Sequence, residues 1–207
     1  MIVVIDYSVG NVESVCNAFR HIGCEAELSR DSAKIQRADG IVLPGVAAFG
    51  YAMEALGSAA EPVKQAAAAG KPILGICVGH QLLFDESTEY GPHKGLGLIR
   101  GRVVPVPPEQ TVPHMGWNLV ELPEGMNLFA DLGPAKHFYF AHSYHAQVSD
   151  PQARTALVDY GSPLTASVQK GNIYGVQFHP EKSSRQGLQV LKNFYALCVK
   201  RGTPQVP

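Results

Sequence analysis

Pro72-Ile73-Leu74-Gly75-Ile76-Cys77-Val78-Gly79-His80-Gln81-Leu82-Leu83-Phe84 is the stretch that decides the fold class. Pro72 to Ile76 is a short apolar run of strand type, and Gln81 to Phe84 opens a helical run, so a buried strand turns at once into a helix. Between the two stands Gly75-Ile76-Cys77-Val78-Gly79, the Gly-x-nucleophile-x-Gly form of a nucleophile elbow. Glycine two residues before and two after Cys77 lets the chain turn sharply enough to lift the side chain above the sheet. At a helix N-terminus, aligned backbone N–H groups favour the thiolate, the nucleophilic form. A cysteine among apolar residues is ordinarily packing, and the glycine frame tips this one toward chemistry. Cys16 and Cys198 fall on apolar faces of expected helices and Cys24 alternates within a strand, so those three read as packing residues.

Upstream of the elbow the pattern repeats. Ile2 to Ile5 is a strand, Val12, Val15, Cys16, Phe19 and Ile22 follow at helical spacing, and Cys24, Ala26 and Leu28 alternate. Ile41 to Leu43 is another buried strand, and Pro62 to Ala69 is a helix with proline at its start and Gly70 at its end. Strands separated by helices predict an α/β fold with a mostly parallel, right-handed central sheet flanked by helices. Ligands of such sheets collect at the carboxyl ends of the strands. From about Gly95 the texture changes to short β-rich pieces: Arg102 to Val106, Trp117 to Glu121, Lys136 to Phe140, Thr155 to Val158, Thr165 to Gln169 and Ile173 to Phe178. They extend the sheet or form an additional antiparallel β layer. Leu188, Leu191, Phe194, Tyr195 and Cys198 mark an amphipathic C-terminal helix. The expectation is a single domain over 1–202 with a frayed tail, 203–207.

A cysteine nucleophile needs a base, and the base an orienting group. Gly175-Val176-Gln177-Phe178-His179-Pro180-Glu181 runs a strand into a His-Pro-Glu turn, where proline fixes φ and lets His179 and Glu181 share one side of a rigid corner. Taken alone, His179 is equally a solvated turn residue, and its place at a strand end of the same sheet favours the catalytic reading. His21, His93, His114 and His137 have no such frame and read as surface or packing residues. His142 and His145 lie in a polar cluster that is equally a recognition loop or an ordinary turn. Pro44-Gly45-Val46-Ala47-Ala48-Phe49-Gly50 also leaves a strand end; it can present N–H groups to an oxyanion, though by itself it reads as a glycine-containing loop.

Composition narrows the partners. Lys+Arg 17 against Asp+Glu 18 gives a net charge of −1, without the positive field that holds a phosphate backbone, so nucleic acid is not expected. Charged residues are 17% of the 207, below the average of roughly 25%, which points to an uncharged surface of interface type. No stretch approaches the 18 or more apolar residues of a membrane helix, and Met1 to Gly10 has no signal-peptide form, so a cytoplasmic location without membrane contact is expected. The four cysteines form no Cys-x-x-Cys pair, which suggests neither a zinc site nor a disulfide framework. With neither a Walker loop nor a dinucleotide fingerprint, no metal or cofactor is expected.

GICVGHQ at 75–81, VQFHPEKS at 176–183 and LPGVAAFG at 43–50 together resemble the class I glutamine amidotransferases, with the two catalytic motifs about a hundred residues apart in that family's order. Within it, Asp6-Tyr7 with Gly10-Asn11, Pro113-His114-Met115-Gly116-Trp117-Asn118, His142-Ser143-Tyr144 and His179-Pro180-Glu181-Lys182-Ser183 are most similar to one branch. That branch comprises the glutaminase subunits of imidazole glycerol phosphate synthases, of histidine biosynthesis. The resemblance implies that L-glutamine is hydrolysed to glutamate and ammonia. The ammonia then passes to a (β/α)8-barrel cyclase subunit in a heterodimer, which makes imidazole glycerol phosphate and an aminoimidazole-carboxamide ribotide from a phosphoribosyl precursor. It further implies Cys77 as nucleophile, His179 as base and acid, and Glu181 as the group that holds the imidazole. Gly45, Val46 and Ala47 would form the oxyanion strand, Gln81 would help bind substrate, and the Ser143 and Tyr144 backbone would hold its α-groups. Asn11, Trp117, Tyr139 and Lys182 are the implied partner-interface residues. Two departures stand out. Ala47 replaces a usual glycine, which costs about 1 kcal/mol if that peptide must reach positive φ, and His80 replaces a common methionine. A synthase of the pyridoxal phosphate, nucleotide or anthranilate branch shares the same chemistry, and a catalytically idle regulatory subunit is the remaining reading.

Overall fold

The computed structural model describes residues 1–7 and 12–200. Asn11 and the expected tail, 203–207, lie outside the described residues. The first part of the chain gives β1 (Ile2–Ile5), α1 (Val12–His21), β2 (Ala26–Ser29), α2 (Ser32–Arg37), β3 (Gly40–Leu43), α3 (Phe49–Leu56), α4 (Ala60–Ala68), β4 (Ile73–Ile76) and α5 (Val78–Leu82). Then follow β5 (Glu86–Ser87), β6 (His93–Lys94), β7 (Gly101–Pro105), β8 (His114–Glu121), β9 (Ala135–His142) and β10 (Tyr144–Val148). The remainder is β11 (Arg154–Asp159), β12 (Pro163–Lys170), β13 (Ile173–Val176) and α6 (Ser184–Lys200).

Nine strands make one sheet in the order β2-β1-β3-β4-β13-β12-β11-β8-β9. The half from β2 to β13 is parallel. Its strands β1, β3, β4 and β13 are buried at every residue, because helices cover both faces of a parallel sheet and leave no face for polar alternation. Beyond β13 the neighbours run antiparallel. Of the β-rich pieces in the second half, most extend this sheet, while β10 and β7 join β5 and β6 in a separate four-stranded layer. Both outcomes held open for that region are therefore realised.

Two helices are absent from the sequence reading. In α2 only Ile35 is buried, so six residues carry almost no apolar period, and the helix depends on Asp31, whose side chain accepts from the Lys34 amide as N-cap. The helix α3 begins directly after the Pro44–Ala48 loop, where its Ala48 N-cap offers no side-chain acceptor. Glu89 supplies one from β5–β6: its Oε2 accepts the Phe49 N–H at 2.6 Å.

Candidate active site

The elbow is built as the glycine frame demands, but the strain sits elsewhere than expected. Cys77 itself has φ 53°, while Gly75 and Gly79 are not among the positive-φ residues. Their lack of a side chain serves close approach: a Cβ at Gly79 would overlap the Leu43 carbonyl, and one at Gly75 would overlap the Gly79 carbonyl. Strand β3, the elbow and the first turn of α5 can meet only without those carbons. Backbone strain at a non-glycine residue costs of the order of 1–3 kcal/mol and here aims one side chain at the carboxyl end of the sheet.

Strand β13 lies beside β4 in parallel register, Val176 opposite Ile76, so the His-Pro-Glu turn leaves the sheet next to the elbow. His179 Nδ1 lies 2.8 Å from Glu181 Oε1, with both side chains buried. Burial pulls the His179 pKa down, but the Cys77 side chain and then Glu181 outweigh it and raise it to about 10. Yet His179 Nε2 has no hydrogen-bond partner among the described residues. The Cys77 thiol instead points to the Ala141 carbonyl at 3.8 Å, and Gln177 Nε2 donates to its sulfur at 3.8 Å. The expected nucleophile and base are adjacent but misaligned, a state compatible with catalysis when such bonds tighten only with substrate or partner.

Above Cys77 opens a pocket of about 330 Å³. Its walls are Val46, Ala47 and Ala48 from the loop after β3, Val78 and Gln81 from α5, Ala141 to Tyr144 between β9 and β10, and Glu89 and Tyr90. Five of the six expected substrate residues, Val46, Ala47, Gln81, Ser143 and Tyr144, thus line one cavity with the nucleophile. Gly45 does not reach the wall. It is buried beneath the loop, and its carbonyl accepts the Val78 N–H at 3.3 Å. Ala47 does not have positive φ in this conformation, so the strain anticipated there is not present. Gln81 Nε2 donates both to the Tyr144 carbonyl, at 2.9 Å, and to Gln177 Oε1, at 3.1 Å. Trp117, Tyr139 and Lys182 form one cluster: the two rings meet edge-on with centroids 6.1 Å apart, and the Lys182 ammonium sits 5.9 Å over Tyr139.

Three contributors have no settled role from the sequence. Glu89 brings a carboxylate to the pocket wall from the turn between β5 and β6. Tyr7, buried just after β1, donates to the Pro44 carbonyl and so anchors the start of the Pro44–Ala48 loop; burial pushes its phenol pKa far up and keeps it a donor. His114 and His142, given no role and an open one, are buried and hydrogen-bonded to each other. Only their cross-strand register, legible once β8 and β9 are paired, would have revealed it.

The family model "Glutamine amidotransferase class-I" matches residues 3–198. The chain belongs to the class I glutamine amidotransferase family. Among curated relatives of this amidotransferase, "Imidazole glycerol phosphate synthase subunit HisH" of Symbiobacterium thermophilum is 49% identical over 195 residues, covering 93% of this chain and 92% of that one. The protein of the same name from Lacticaseibacillus casei is 50% identical over 198 residues and 94% of both chains. The solved structure of PurLQS from Thermotoga maritima superposes with a TM-score of 0.75 at 22% identity, covering 98% of this amidotransferase and 98% of that chain. At that identity the likeness supports the fold alone. Among the described residues, no helix is long and apolar enough to cross a membrane.

Proposed function

We propose that this amidotransferase is the glutaminase subunit of an imidazole glycerol phosphate synthase, acting through one domain over 1–202 as the cytoplasmic heterodimer partner of a (β/α)8-barrel cyclase. The observation that carries the reading is near-50% identity to HisH subunits over almost the whole of both chains, together with Cys77, His179 and Glu181 on adjoining strand ends.

In this reading L-glutamine lies in the pocket with its side-chain amide over Cys77. With its pKa raised to about 10, His179 holds the proton drawn from the Cys77 thiol, and the sulfur attacks the amide carbon. The oxyanion that forms is held by the Val78 N–H and an N–H of the Val46–Ala47 loop, the usual two donors of such an elbow. His179 then protonates the departing nitrogen, ammonia leaves, and water hydrolyses the thioester to glutamate. Glu181, on Nδ1, fixes which imidazole nitrogen faces the sulfur and stabilises the imidazolium. The backbone of Ser143 and Tyr144, with Gln81, holds the α-carboxylate, and Glu89 faces the α-ammonium. Released ammonia passes to the cyclase past the Trp117, Tyr139 and Lys182 cluster.

Glutamate release from glutamine, measured for the chain alone and mixed with the cyclase plus its phosphoribosyl ligand, tests this. Strong activation in the mixture is expected. Full activity alone, unchanged by the cyclase, would move the protein to a different amidotransferase branch.

A further inference from the structure

Strands β8 and β9 set His114 directly opposite His142. His114 is clamped between Phe140, stacked at 4.6 Å, and Tyr160, stacked at 4.0 Å, which fixes the plane of its ring. His114 Nδ1 lies 2.9 Å from His142 Nε2, His142 Nδ1 lies 2.8 Å from the Tyr144 carbonyl, and Asn118 Nδ2 lies 2.6 Å from His114 Nε2.

One acceptor sets the direction of the whole chain. A carbonyl can only accept, so His142 Nδ1 carries a proton. Burial lowers the His142 pKa to about 3 and that of His114 to about 4, so near neutrality each ring carries one proton. Nε2 of His142 is then an acceptor, His114 Nδ1 must donate to it, His114 Nε2 must accept, and the Asn118 amide donates. The Tyr144 carbonyl at the far end takes a second bond from Gln81 Nε2, and the Ser143 carbonyl accepts the Val106 N–H at 2.9 Å. Both carbonyls of the segment are therefore committed to the protein.

We propose that His114 and His142 are positioning residues, a relay in one fixed tautomeric state that pins the Ser143–Tyr144 backbone against the pocket. The relay rests on the reading of that segment as the cradle for the α-groups of glutamine. It acts on substrate binding rather than on bond cleavage, because its last contact is the carbonyl of the cradle and not Cys77 or His179.

Imidazole 15N–1H correlation spectra of the wild-type chain at pH 7 test the relay without any variant. Both rings are expected as the Nδ1–H tautomer, and an Nε2–H tautomer at either overturns the proposal. Kinetics of the complex with the cyclase and its ligand give the second test. His142→Gln places its amide near the Nε2 position and leaves the Tyr144 carbonyl with Gln81 as its one side-chain donor; it is expected to raise KM for glutamine about tenfold, the loss of one buried hydrogen bond, with kcat within threefold. His142→Asn places an N–H near the Nδ1 position and is expected to recover most of that loss. Equal losses in both variants, or a loss confined to kcat, show a merely structural role. A wild-type complex inert toward glutamine sinks the glutamine reading itself, whatever the tautomers.

Discussion

The Val78 amide donates to the Gly45 carbonyl at 3.3 Å. In an elbow of this kind that amide, next after the nucleophile, is one of the two donors to the oxyanion, and here it is occupied by the loop that should supply the other. One missing donor costs on the order of 10²- to 10³-fold in turnover. The chain by itself should release glutamate slower by that factor than the proposed complex with the cyclase, if the complex draws the loop away. A ratio near one in a side-by-side turnover assay would mean that the Val78–Gly45 contact does not survive substrate binding.

Ala47 should set part of that threshold. If opening the loop drives residue 47 to positive φ, Ala47→Gly removes about 1 kcal/mol of strain, so partner-independent turnover should rise about fivefold. Unchanged basal turnover would place the peptide that reorients elsewhere in the loop.

In the proposed pose of glutamine, Glu89 on the pocket wall meets the α-ammonium. Glu89→Gln keeps an acceptor for the Phe49 amide but loses the charge, and a charged hydrogen bond is worth roughly 1.5–3 kcal/mol. KM for glutamine should rise by about ten- to a hundredfold with kcat little changed. The opposite split, kcat lost at constant KM, would assign Glu89 to loop geometry instead.

His179 carries a pKa raised to about 10, from an ordinary 6.5, through Cys77 and Glu181 acting against burial. A raised folded-state pKa stabilises the fold fully below pH 6.5, and that contribution fades as pH climbs toward 10. The Tm gap between wild type and Glu181→Gln should therefore be widest near pH 6 and shrink toward pH 10. A gap constant over this range would show that Glu181 acts by packing alone.

His80 is fully buried, edge-on to Phe84 at 5.3 Å, and neither ring nitrogen meets a hydrogen-bond partner among the described residues. Burial and the neighbouring His145 lower its pKa to about 3. His80→Met fills the same space without unpaired nitrogens and should stabilise by about 1 kcal/mol, or about 3 °C in Tm. Glutaminase turnover reduced more than tenfold would instead give His80 a part in the chemistry.

What could be read in the sequence was what is local. Cys77 stands in a glycine frame five residues long, and His179 and Glu181 flank a proline, so backbone restriction alone marks them. The parallel half of the sheet was legible because buried strands are apolar without interruption. Glu89, Tyr7 and the His114–His142 pair were not, because each acts across tens of residues through register or a pocket wall that no local pattern encodes. Gly45 shows the limit from the other side: its motif pointed to the oxyanion loop, but which end of its peptide would face the nucleophile depends on a conformational state.

The outer ribbon of β8 and β9 is joined to the rest of the sheet by a single register pair, Val120 opposite Val158. It is also tied down elsewhere: the His179 amide donates to the Tyr139 carbonyl at 2.8 Å, Ser183 Oγ joins the Tyr139 amide to the His179 carbonyl, Gln186 Nε2 donates to the His137 carbonyl, and Tyr160 stacks on His114. The ribbon is thus held narrowly along the sheet and again at the His-Pro-Glu turn. Trp117, 48% exposed, meets the Tyr139 ring edge-on, so the outer surface reaches the His179 backbone through two contacts, Trp117 to Tyr139 and Tyr139 to His179, without passing through the pocket.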